Sequence, residues 1–456
     1  MATTRLDTHL LDCGVGSSRG RWIAERVDEA MSIGPYRHVD AAVPLRPLYL
    51  PTKEIADLAR IGRRLARLLV RTCRARAGSA IELEPLLRYE RPAESLLTDS
   101  RAQNRFALDS LRPDIVISEG MPKVVECNIN SAIAGPEQVA ALNGLYRRHL
   151  LGHPETAALL PEAQILEPLP LRAQVVAAAS AAFHGAPGTV AVMGWAEEGF
   201  GAEEYFADVL AELRRAGLDA HFALPGQLSW HADRLLSHRG PVGTVLRTFV
   251  TADAEEAGLD LSPVRRALAA DQALVLAPEV GSLLASKLVL AWLSSDADAQ
   301  RLAPADAAFV ARHLPWTREV RDERVTWRNR PTDLLPLLHR ERHRFILKPL
   351  NQYGGSGAVV GRDTDARAWA DALRLAEQSQ RYVAQEFFRP DPVELPVFRA
   401  GGLEPHLLTG TAVFSPMLFG WRMGGLLARI VPDRERSIVN AATGGLMNCV
   451  WGTKEN

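Results

Sequence analysis

Cysteine is scarce in this sequence, and long apolar runs are missing from it. The four cysteines, Cys13, Cys73, Cys127 and Cys449, stand far apart and form no C-x-x-C pair. This spacing argues against a zinc site or a disulfide framework, and it is typical of a reducing cytosol. No run reaches the roughly 18 to 20 apolar residues that cross a bilayer. The N-terminus also lacks a charged start followed by an apolar core. We therefore expect a cytoplasmic protein without a signal peptide or a membrane partner.

An excess of charge of either sign is also absent. The formal net charge is −1 and the pI is about 6.9, so the overall charge does not favour a nucleic-acid partner. One local exception is ARIGRRLARLLVRTCRARA (59–77), an amphipathic segment with seven arginines. Such a helix usually packs one face on a core and keeps its arginines in solvent, and membrane or RNA binding is the alternative.

The order of predicted elements indicates a mixed α/β enzyme of several lobes, for which 456 residues are sufficient. We predict a mostly helical region over 1–105 and a hairpin followed by a helix within 106–185. A β-α-β unit with a parallel sheet follows over 186–275, because GTVAVMGW and LDAHFAL flank a helical pattern. The segment 276–456 is predicted to be rich in strands.

A glycine-rich loop follows a lysine in FILKPLNQYGGSGAVVG (345–361). It is neither a P-loop, in which the lysine follows the glycines, nor the dinucleotide pattern G-x-G-x-x-G. A lysine at the end of a buried strand places a charge where phosphates can lie, and a flexible glycine loop offers backbone amides to them. We interpret Lys348 and this loop, with the hydroxyl of Ser356, as a phosphate cover. The alternative is a plain hairpin turn.

A second polar cluster lies in RPDIVISEGMPKVVECNIN (112–130), which is predicted to be a hairpin. Glu126 and Asn128 share one face of the second strand, and pairing brings Asp114 of the first strand beside them. Two carboxylates and an amide oxygen form the hard ligand set that Mg²⁺ takes next to nucleotide phosphates. Arg112 adds a fork of donors suited to phosphate. The alternative is an exposed polar hairpin end.

A third, weaker signal is YVAQEFF (382–388), an apolar strand interrupted by Gln385 and Glu386. A strand with free backbone groups and an amide side chain can hydrogen-bond the edge of adenine. Polar residues are also common in ordinary alternating strands, so this motif alone does not indicate a function.

Together these motifs resemble the ATP-grasp superfamily, in particular its circularly permuted branch, which is similar to the synthetase domain of glutathionylspermidine synthetase. In that branch the metal ligands come early in the chain, as Arg-x-Asp followed by Glu-x-Asn, and the nucleotide lysines and hinge come late. The resemblance covers roughly 105–445 and implies a circularly permuted ATP-grasp-like fold with a preATP-grasp-like β-α-β domain.

The resemblance also implies a set of site residues. Lys287 matches the first nucleotide lysine, Lys348 the second, the glycine cover matches Gly354 to Gly357, and the hinge matches Gln385 and Glu386. The predicted nucleotide-binding residues are Lys287, Lys348, Gln352, Gly354, Gly355, Ser356, Gly357, Gln385, Glu386 and Phe388. The predicted magnesium ligands are Asp114, Glu126 and Asn128, and the predicted catalytic residues are Arg112 and Arg429.

Three parts of the sequence depart from the family pattern or stay open. SAIAGPEQ (131–138) is not a substrate loop that we can assign, and the first hundred residues match no pattern. Near the C-terminus, Asn440 either contacts the phosphates or only forms a turn. The acidic stretch GWAEEGFGAEE (194–204) either meets an amine substrate or is a solvated helix start.

The function predicted from these residues is an ATP-dependent carboxylate–amine ligase that works through an acyl-phosphate, with ATP and Mg²⁺ as cofactors. Two alternatives stay open, a small-molecule kinase and a non-catalytic ATP-binding scaffold. The expected partners are a small-molecule carboxylate and an amine, with no nucleic acid, and the sequence allows a homodimer.

Overall fold

The structure is a computed structural model that describes residues 4–12, 18–32, 42–129, 135–186, 188–194, 202–352, 355–399, 404–432 and 445–454. Its α-helices, in chain order, are α1 (Arg5–Leu11), α2 (Ser18–Ser32), α3 (Thr52–Arg74), α4 (Ala80–Leu86), α5 (Arg101–Arg105), α6 (Pro136–Tyr146), α7 (Pro154–Ala157), α8 (Pro168–His184), α9 (Ala202–Tyr205), α10 (Ala207–Arg215), α11 (Thr251–Glu256), α12 (Ser262–Ala269), α13 (Val280–Leu284), α14 (Lys287–Leu293), α15 (Asp296–Ala299), α16 (Pro304–His313), α17 (Leu334–Arg340) and α18 (Ala366–Ser379). Helix α6 continues into a π-helical segment, Arg147–Leu151.

The strands, in chain order, are β1 (Ala42–Pro44), β2 (Leu48–Pro51), β3 (Ser110–Ser118), β4 (Met121–Asn128), β5 (Ala163–Gln164), β6 (Thr189–Met193), β7 (Asp219–Ala223), β8 (Ser229–His231), β9 (Arg234–Ser237), β10 (Gly240–Pro241), β11 (Thr244–Arg247), β12 (Leu274–Leu276), β13 (Thr317–Glu319), β14 (Arg324–Trp327), β15 (Arg330–Asp333), β16 (Phe345–Pro349), β17 (Val359–Val360), β18 (Tyr382–Glu386), β19 (Pro392–Arg399), β20 (Pro405–Phe419), β21 (Arg422–Pro432) and β22 (Leu446–Thr453). The mixed α/β class expected from the sequence is confirmed.

A nine-stranded sheet is the centre of the molecule, in the order β1-β19-β20-β21-β22-β2. The long strand β20 pairs with β19 through Pro405 to Thr411 and with β3 through Phe414 to Phe419. Strand β3 in turn pairs with β4, so the hairpin predicted over 112–130 is present and extends this sheet. This pairing places the polar hairpin beside the C-terminal strands.

Alternate residues of the large sheet pack against two different helical layers. Leu426, Ala428 and Ile430 belong to the core that includes α3, whereas Leu427 belongs to the core that includes α6. This is the two-residue period of a strand buried on both faces. Arg429 therefore projects from β21 on the α6 side of the sheet.

The first hundred residues contribute strands as well as helices. Strand β1 pairs with β19, and β2 pairs in parallel with β22, so this region shares the large sheet with the C-terminal strands. The sequence pattern showed only proline-rich breaks at VPLRPLYLP, because strands of three or four residues are too short to display an alternating period.

Two smaller sheets complete the part of the fold that positions the site. The β-α-β unit is confirmed, since β7, β6, β11 and β12 form one parallel sheet. A second sheet has the order β13-β18-β16-β17, and its antiparallel pair β16 and β17 flanks the glycine loop. Among the described helices, none is long and apolar enough to cross a membrane.

Candidate functional site

The hairpin β3–β4 aligns the four polar residues that the sequence predicts to act together. Arg112 lies opposite Asn128, and Asp114 lies opposite Glu126. Residues directly opposite each other in an antiparallel pair project from the same face of the sheet. The four side chains therefore lie on one face of the hairpin, and Cys127 lies in the hydrophobic core on the other face.

Asp114 is a buried anion held between two guanidinium groups. Its Oδ1 lies 2.7 Å from Nη2 of Arg429, and the Nε of Arg112 lies 3.6 Å away. The hydroxyl of Ser415 donates to the same oxygen at 2.8 Å. Burial raises the pKa of the Asp114 carboxyl, but the two guanidinium groups and these hydrogen bonds outweigh it and lower the pKa overall. Asp114 is therefore ionised at neutral pH.

Asn128 presents its amide nitrogen to Asp114. Its Nδ2 donates to Asp114 Oδ2 at 3.2 Å and to the backbone carbonyl of Arg112 at 3.3 Å. Because both partners are acceptors, the amide group is oriented with its oxygen turned away from Asp114. That oxygen is the atom that could act as a metal ligand.

Two lysines from different elements converge on strand β4. The Nζ of Lys287, at the first position of α14, lies 3.1 Å from Oε1 of Glu126. The Nζ of Lys348, near the end of β16, donates to the backbone carbonyl of Val125 at 3.1 Å. Both ammonium groups therefore lie at the edge of the polar hairpin, although 61 positions separate the two residues in the chain.

Lys348 is half-buried, and its surroundings favour the neutral amine over the ammonium form. Burial lowers the pKa of Lys348 to about 8, with Glu126 opposing this shift and Lys287 adding to it. Its Nζ also donates to Oε1 of Gln385 at 2.8 Å, and Gln385 donates to the hydroxyl of Thr317 at 3.2 Å. A lysine in this state can gain an anionic partner with little loss of hydration.

The start of the glycine loop between β16 and β17 contacts the same region. Gly355 and Gly357 have φ angles of 75° and 68°, which favour glycine, and the carbonyl of Gln352 accepts from Lys287 Nζ at 2.6 Å. Ser356 is exposed at the loop surface. Gly354 lies outside the described residues.

The predicted hinge is more completely paired than the sequence suggested. Strand β18 lies between β13 and β16, and the backbone N–H groups of Glu386 and Phe387 donate to the carbonyls of Trp316 and Arg344. The expectation of free backbone groups is wrong for these two N–H groups, because β18 is an inner strand of its sheet. The ring of Phe388 lies 4.8 Å from the ammonium of Lys123.

Sequence reasoning missed two hydroxyl residues of this site. Ser415 on β20 donates to Asp114 and accepts from Arg429, and Thr317 on β13 bonds Gln385. Ser415 stands in no motif, and the contact that each residue makes is recognisable only when the sheet pairing is known. Asn440, residues 130–134 and most of the acidic stretch lie outside the described residues.

The arrangement as a whole can bind a polyphosphate with a divalent cation. Two ammonium groups and a glycine loop meet a strand that carries carboxylate and amide oxygens. Within the described residues, no three His, Cys, Asp or Glu side chains form a metal cluster, so oxygen donors of mixed type are the relevant set here.

Comparisons with known proteins identify the fold but no family. The sequence matches no protein-family profile. A comparison with curated proteins also finds no match. Among solved structures, a glutathione synthetase-like effector from Globodera pallida in its apo form is similar, with a TM-score of 0.56 and 12% identity over 95% of this chain and 97% of the other. A protein described as a gamma-glutamylcysteine synthetase from Methylobacillus flagellatus KT has a TM-score of 0.42 and 11% identity over 86% and 87% of the two chains. The fold is thus similar to that of a glutathione synthetase-like protein.

Proposed function

We propose that this protein is an ATP-dependent carboxylate–amine ligase with a circularly permuted ATP-grasp arrangement. The observation that carries the proposal is the convergence of Lys287 and Lys348 on strand β4, with Lys287 also bonded to Gln352 at the start of the glycine loop. In the chain, the hairpin comes before both lysines, which is the order that the permuted branch has. The similarity of the fold to a glutathione synthetase-like protein supports this proposal.

The residues at the hairpin fit Mg²⁺ as a cofactor. Glu126 is part-exposed and Asn128 turns its amide oxygen away from Asp114, so both offer the hard oxygens that Mg²⁺ takes together with phosphates. Asp114 lies on the same face and is held by Arg429. Mg²⁺ held by these residues would screen the negative charge of the phosphates. Glu126, Asn128 and Asp114 are therefore the proposed ligands.

The lysines and the loop have separate roles in the proposed reaction. Lys287 and Lys348 neutralise charge on the phosphates during transfer, which is electrostatic stabilisation rather than nucleophilic catalysis. The glycine loop covers the phosphates and excludes water, which would otherwise hydrolyse an acyl-phosphate. Gln385 and Glu386 lie at the end of β18, and Phe388 follows it, where they would face the base of the nucleotide.

Arg429 is the proposed anchor for the carboxylate or its acyl-phosphate. Its Nη2 is bound by Asp114 and Ser415, but its Nε is buried without a hydrogen-bond partner among the described residues. A buried unpaired donor is costly, and an anionic ligand would satisfy it. Arg112 also contacts the carboxylate of Asp114, so its positive charge lies next to that of Arg429.

The reaction proceeds in two balanced steps. The substrate carboxylate attacks the γ-phosphorus of ATP and ADP leaves, which gives an acyl-phosphate. An amine then attacks the acyl carbon, phosphate leaves, and the amine loses a proton as the amide forms. We propose that the substrates are small amino acids or peptide-like molecules and that the protein acts in the cytoplasm, as a monomer or a homodimer. Neither nucleic acid nor membrane is a proposed partner.

The experiment that tests the proposal measures ADP and phosphate release from Mg-ATP across a library of carboxylates and amines, with hydroxylamine present. Hydroxylamine traps an acyl-phosphate as a hydroxamate, so a ligase gives hydroxamate with its own acid. Glu126→Gln should remove this product, and Glu377→Gln, a distant change on α18, should leave it unchanged. ADP release without hydroxamate would instead indicate a kinase, and ATP binding without turnover would favour a scaffold.

A further inference from the structure

A large cavity lies next to the arginine-rich helix α3, away from the residues described above. Its volume is about 950 Å³, and its walls come from α3, α4, the segment 104–109, α8, α13 and the turn between β20 and β21. Pockets that bind small organic molecules typically measure about 300 to 1,000 Å³. The cavity is therefore of a size that holds a substantial ligand.

The inner wall of the cavity is apolar. Val70 of α3, Leu83 of α4, Ala179 of α8 and Leu284 of α13 all line it. Water in such a space gains few hydrogen bonds, so an apolar group that replaces it contributes binding energy in proportion to the area that it covers. The interior thus favours a hydrocarbon body.

The rest of the lining is strongly basic. Five arginines line the cavity, namely Arg67, Arg71, Arg74, Arg105 and Arg422. One carboxylate, Asp109, lines it too, and Arg71 is paired with Asp306 at 2.8 Å. The two acids, Asp109 and Asp306, cannot neutralise five arginines, so the lining keeps a net positive charge. A ligand with an anionic head group matches this lining.

The turn at the cavity edge is held in an uncommon conformation. Gly420 and Trp421 have φ angles of 52° and 71°, a region that a bulky residue such as tryptophan rarely adopts. The guanidinium carbon of Arg67 lies 5.5 Å from the centre of the Trp421 ring. Since a Cβ at Gly420 would come within 2.9 Å of Val175, the turn is seated tightly on α8. The strained turn thus holds an aromatic ring at the edge of a basic cavity.

Helix α13 contacts both this cavity and the end of the hairpin. Val280 and Leu284 face the cavity, whereas a Cβ at Gly281 would lie 2.2 Å from the carbonyl oxygen of Ile129, just beyond the end of β4. The helix backbone therefore packs directly on the hairpin. The cavity and the hairpin therefore share helix α13 as a neighbour.

We propose that this cavity is a binding site for an amphipathic organic anion, with an apolar chain against the inner wall and a carboxylate or phosphate head at the arginines. The proposal goes beyond the ligase reaction and does not depend on it. A nucleic acid is a poorer match, because the apolar inner wall offers no partners for a phosphate backbone.

The test is isothermal titration of the full-length protein with octanoate, decanoate, decyl phosphate, decanol and decyltrimethylammonium, each below its micellar concentration. We expect one site, at least tenfold tighter binding of decanoate than of the cation, and about fourfold tighter binding for each added methylene. The decanoate and decyl phosphate arms distinguish a carboxylate head from a phosphate head. Equal binding of the cation, no dependence on chain length, or no binding of any amphiphile would overturn the proposal.

Variants locate the bound molecule. Ala178→Trp places a large side chain in the cavity from an exposed helical position, and it should weaken decanoate binding at least tenfold. The control Ala368→Trp, at an exposed position of α18, should leave decanoate binding unchanged. Arg74→Gln with Arg105→Gln should weaken it several-fold, and the exposed Arg330→Gln should leave it unchanged. Glu126→Gln should bind decanoate normally. Unchanged binding in Ala178→Trp, or loss of binding in Glu126→Gln, would contradict the assignment, and a melting curve of each variant identifies one that is unfolded.

Discussion

The ammonium group of Lys287 lies 3.1 Å from a carboxylate oxygen of Glu126. In the proposed site these two residues bind different ligands, since Lys287 contacts phosphate and Glu126 contacts Mg²⁺. Without a ligand each neutralises the other, and neither charge is left unpaired. Binding of Mg-ATP would exchange this one pair for two, so the proposed site would accept the metal and the nucleotide together.

The first prediction concerns pH and Lys348. Burial lowers the pKa of Lys348 to about 8, so the side chain is charged below this pH and neutral above it. Since kcat/KM reports ionisations of the free enzyme, kcat/KM for ATP should fall about tenfold per pH unit above about pH 8. In Lys348→Arg the group stays charged, and the fall should disappear. A wild-type profile that is flat to pH 10 would show that this charge is not used.

The second prediction concerns the buried charges around Asp114. Asp114→Asn leaves the guanidinium groups of Arg429 and Arg112 without their shared counter-ion, so the free energy of unfolding should fall by about 3 to 5 kcal/mol. Urea denaturation measures this change. Asp371→Asn, which breaks an exposed pair with Arg374, should change the free energy by no more than about 0.5 kcal/mol.

A double variant checks the cause of that loss. Asp114→Asn combined with Arg429→Met removes both partners, so part of the stability should return. If the two losses simply add, then Asp114 and Arg429 do not stabilise each other.

The third prediction concerns the glycine loop. Gly357 has a φ of 68°, and a Cβ there would come within 2.9 Å of Pro349. Gly357→Ala should strain the loop by about 1 to 3 kcal/mol, which corresponds to a loss of roughly five- to 150-fold in kcat/KM for ATP. Gly258→Ala is the matched control, because Gly258 has a φ of 66° in open space far from the loop. It should lower the melting temperature and leave the kinetics for ATP unchanged. Equal kinetics in both variants would argue against a role of the loop in nucleotide binding.

Local sequence patterns predicted much of this fold. The sequence pattern of 112–130 indicated the hairpin. The structure has it in the register that aligns Asp114 with Glu126, and its turn contains Gly120 with a φ of 70°. The parallel β-α-β sheet followed equally from hydrophobic runs of strand length on either side of a helical pattern. In both cases the elements are neighbours in the chain, so their pairing is a local property.

Contacts between distant parts of the chain could not be predicted in this way. Ser415 and Asp114 are hydrogen-bonded across 301 positions, and their contact depends on the pairing of β20 with β3. Strands β1 and β2 were missed because they are short and obtain their partners from the opposite end of the chain. The cavity beside α3 is likewise formed by six separate segments, and the arginine pattern alone indicated only a solvated helix face.

The most direct test of the central claim needs no knowledge of the substrates. It is equilibrium binding of a non-hydrolysable ATP analogue with Mg²⁺ to the wild type, to Lys348→Met and to the control Lys53→Met, an exposed lysine of α3. Loss of a hydrogen-bonding charge costs about 1.5 to 3 kcal/mol, so Lys348→Met should bind roughly 10- to 150-fold more weakly while Lys53→Met binds like the wild type. Equal affinity in all three proteins, with Lys348→Met folded, would contradict the assignment of this site to ATP.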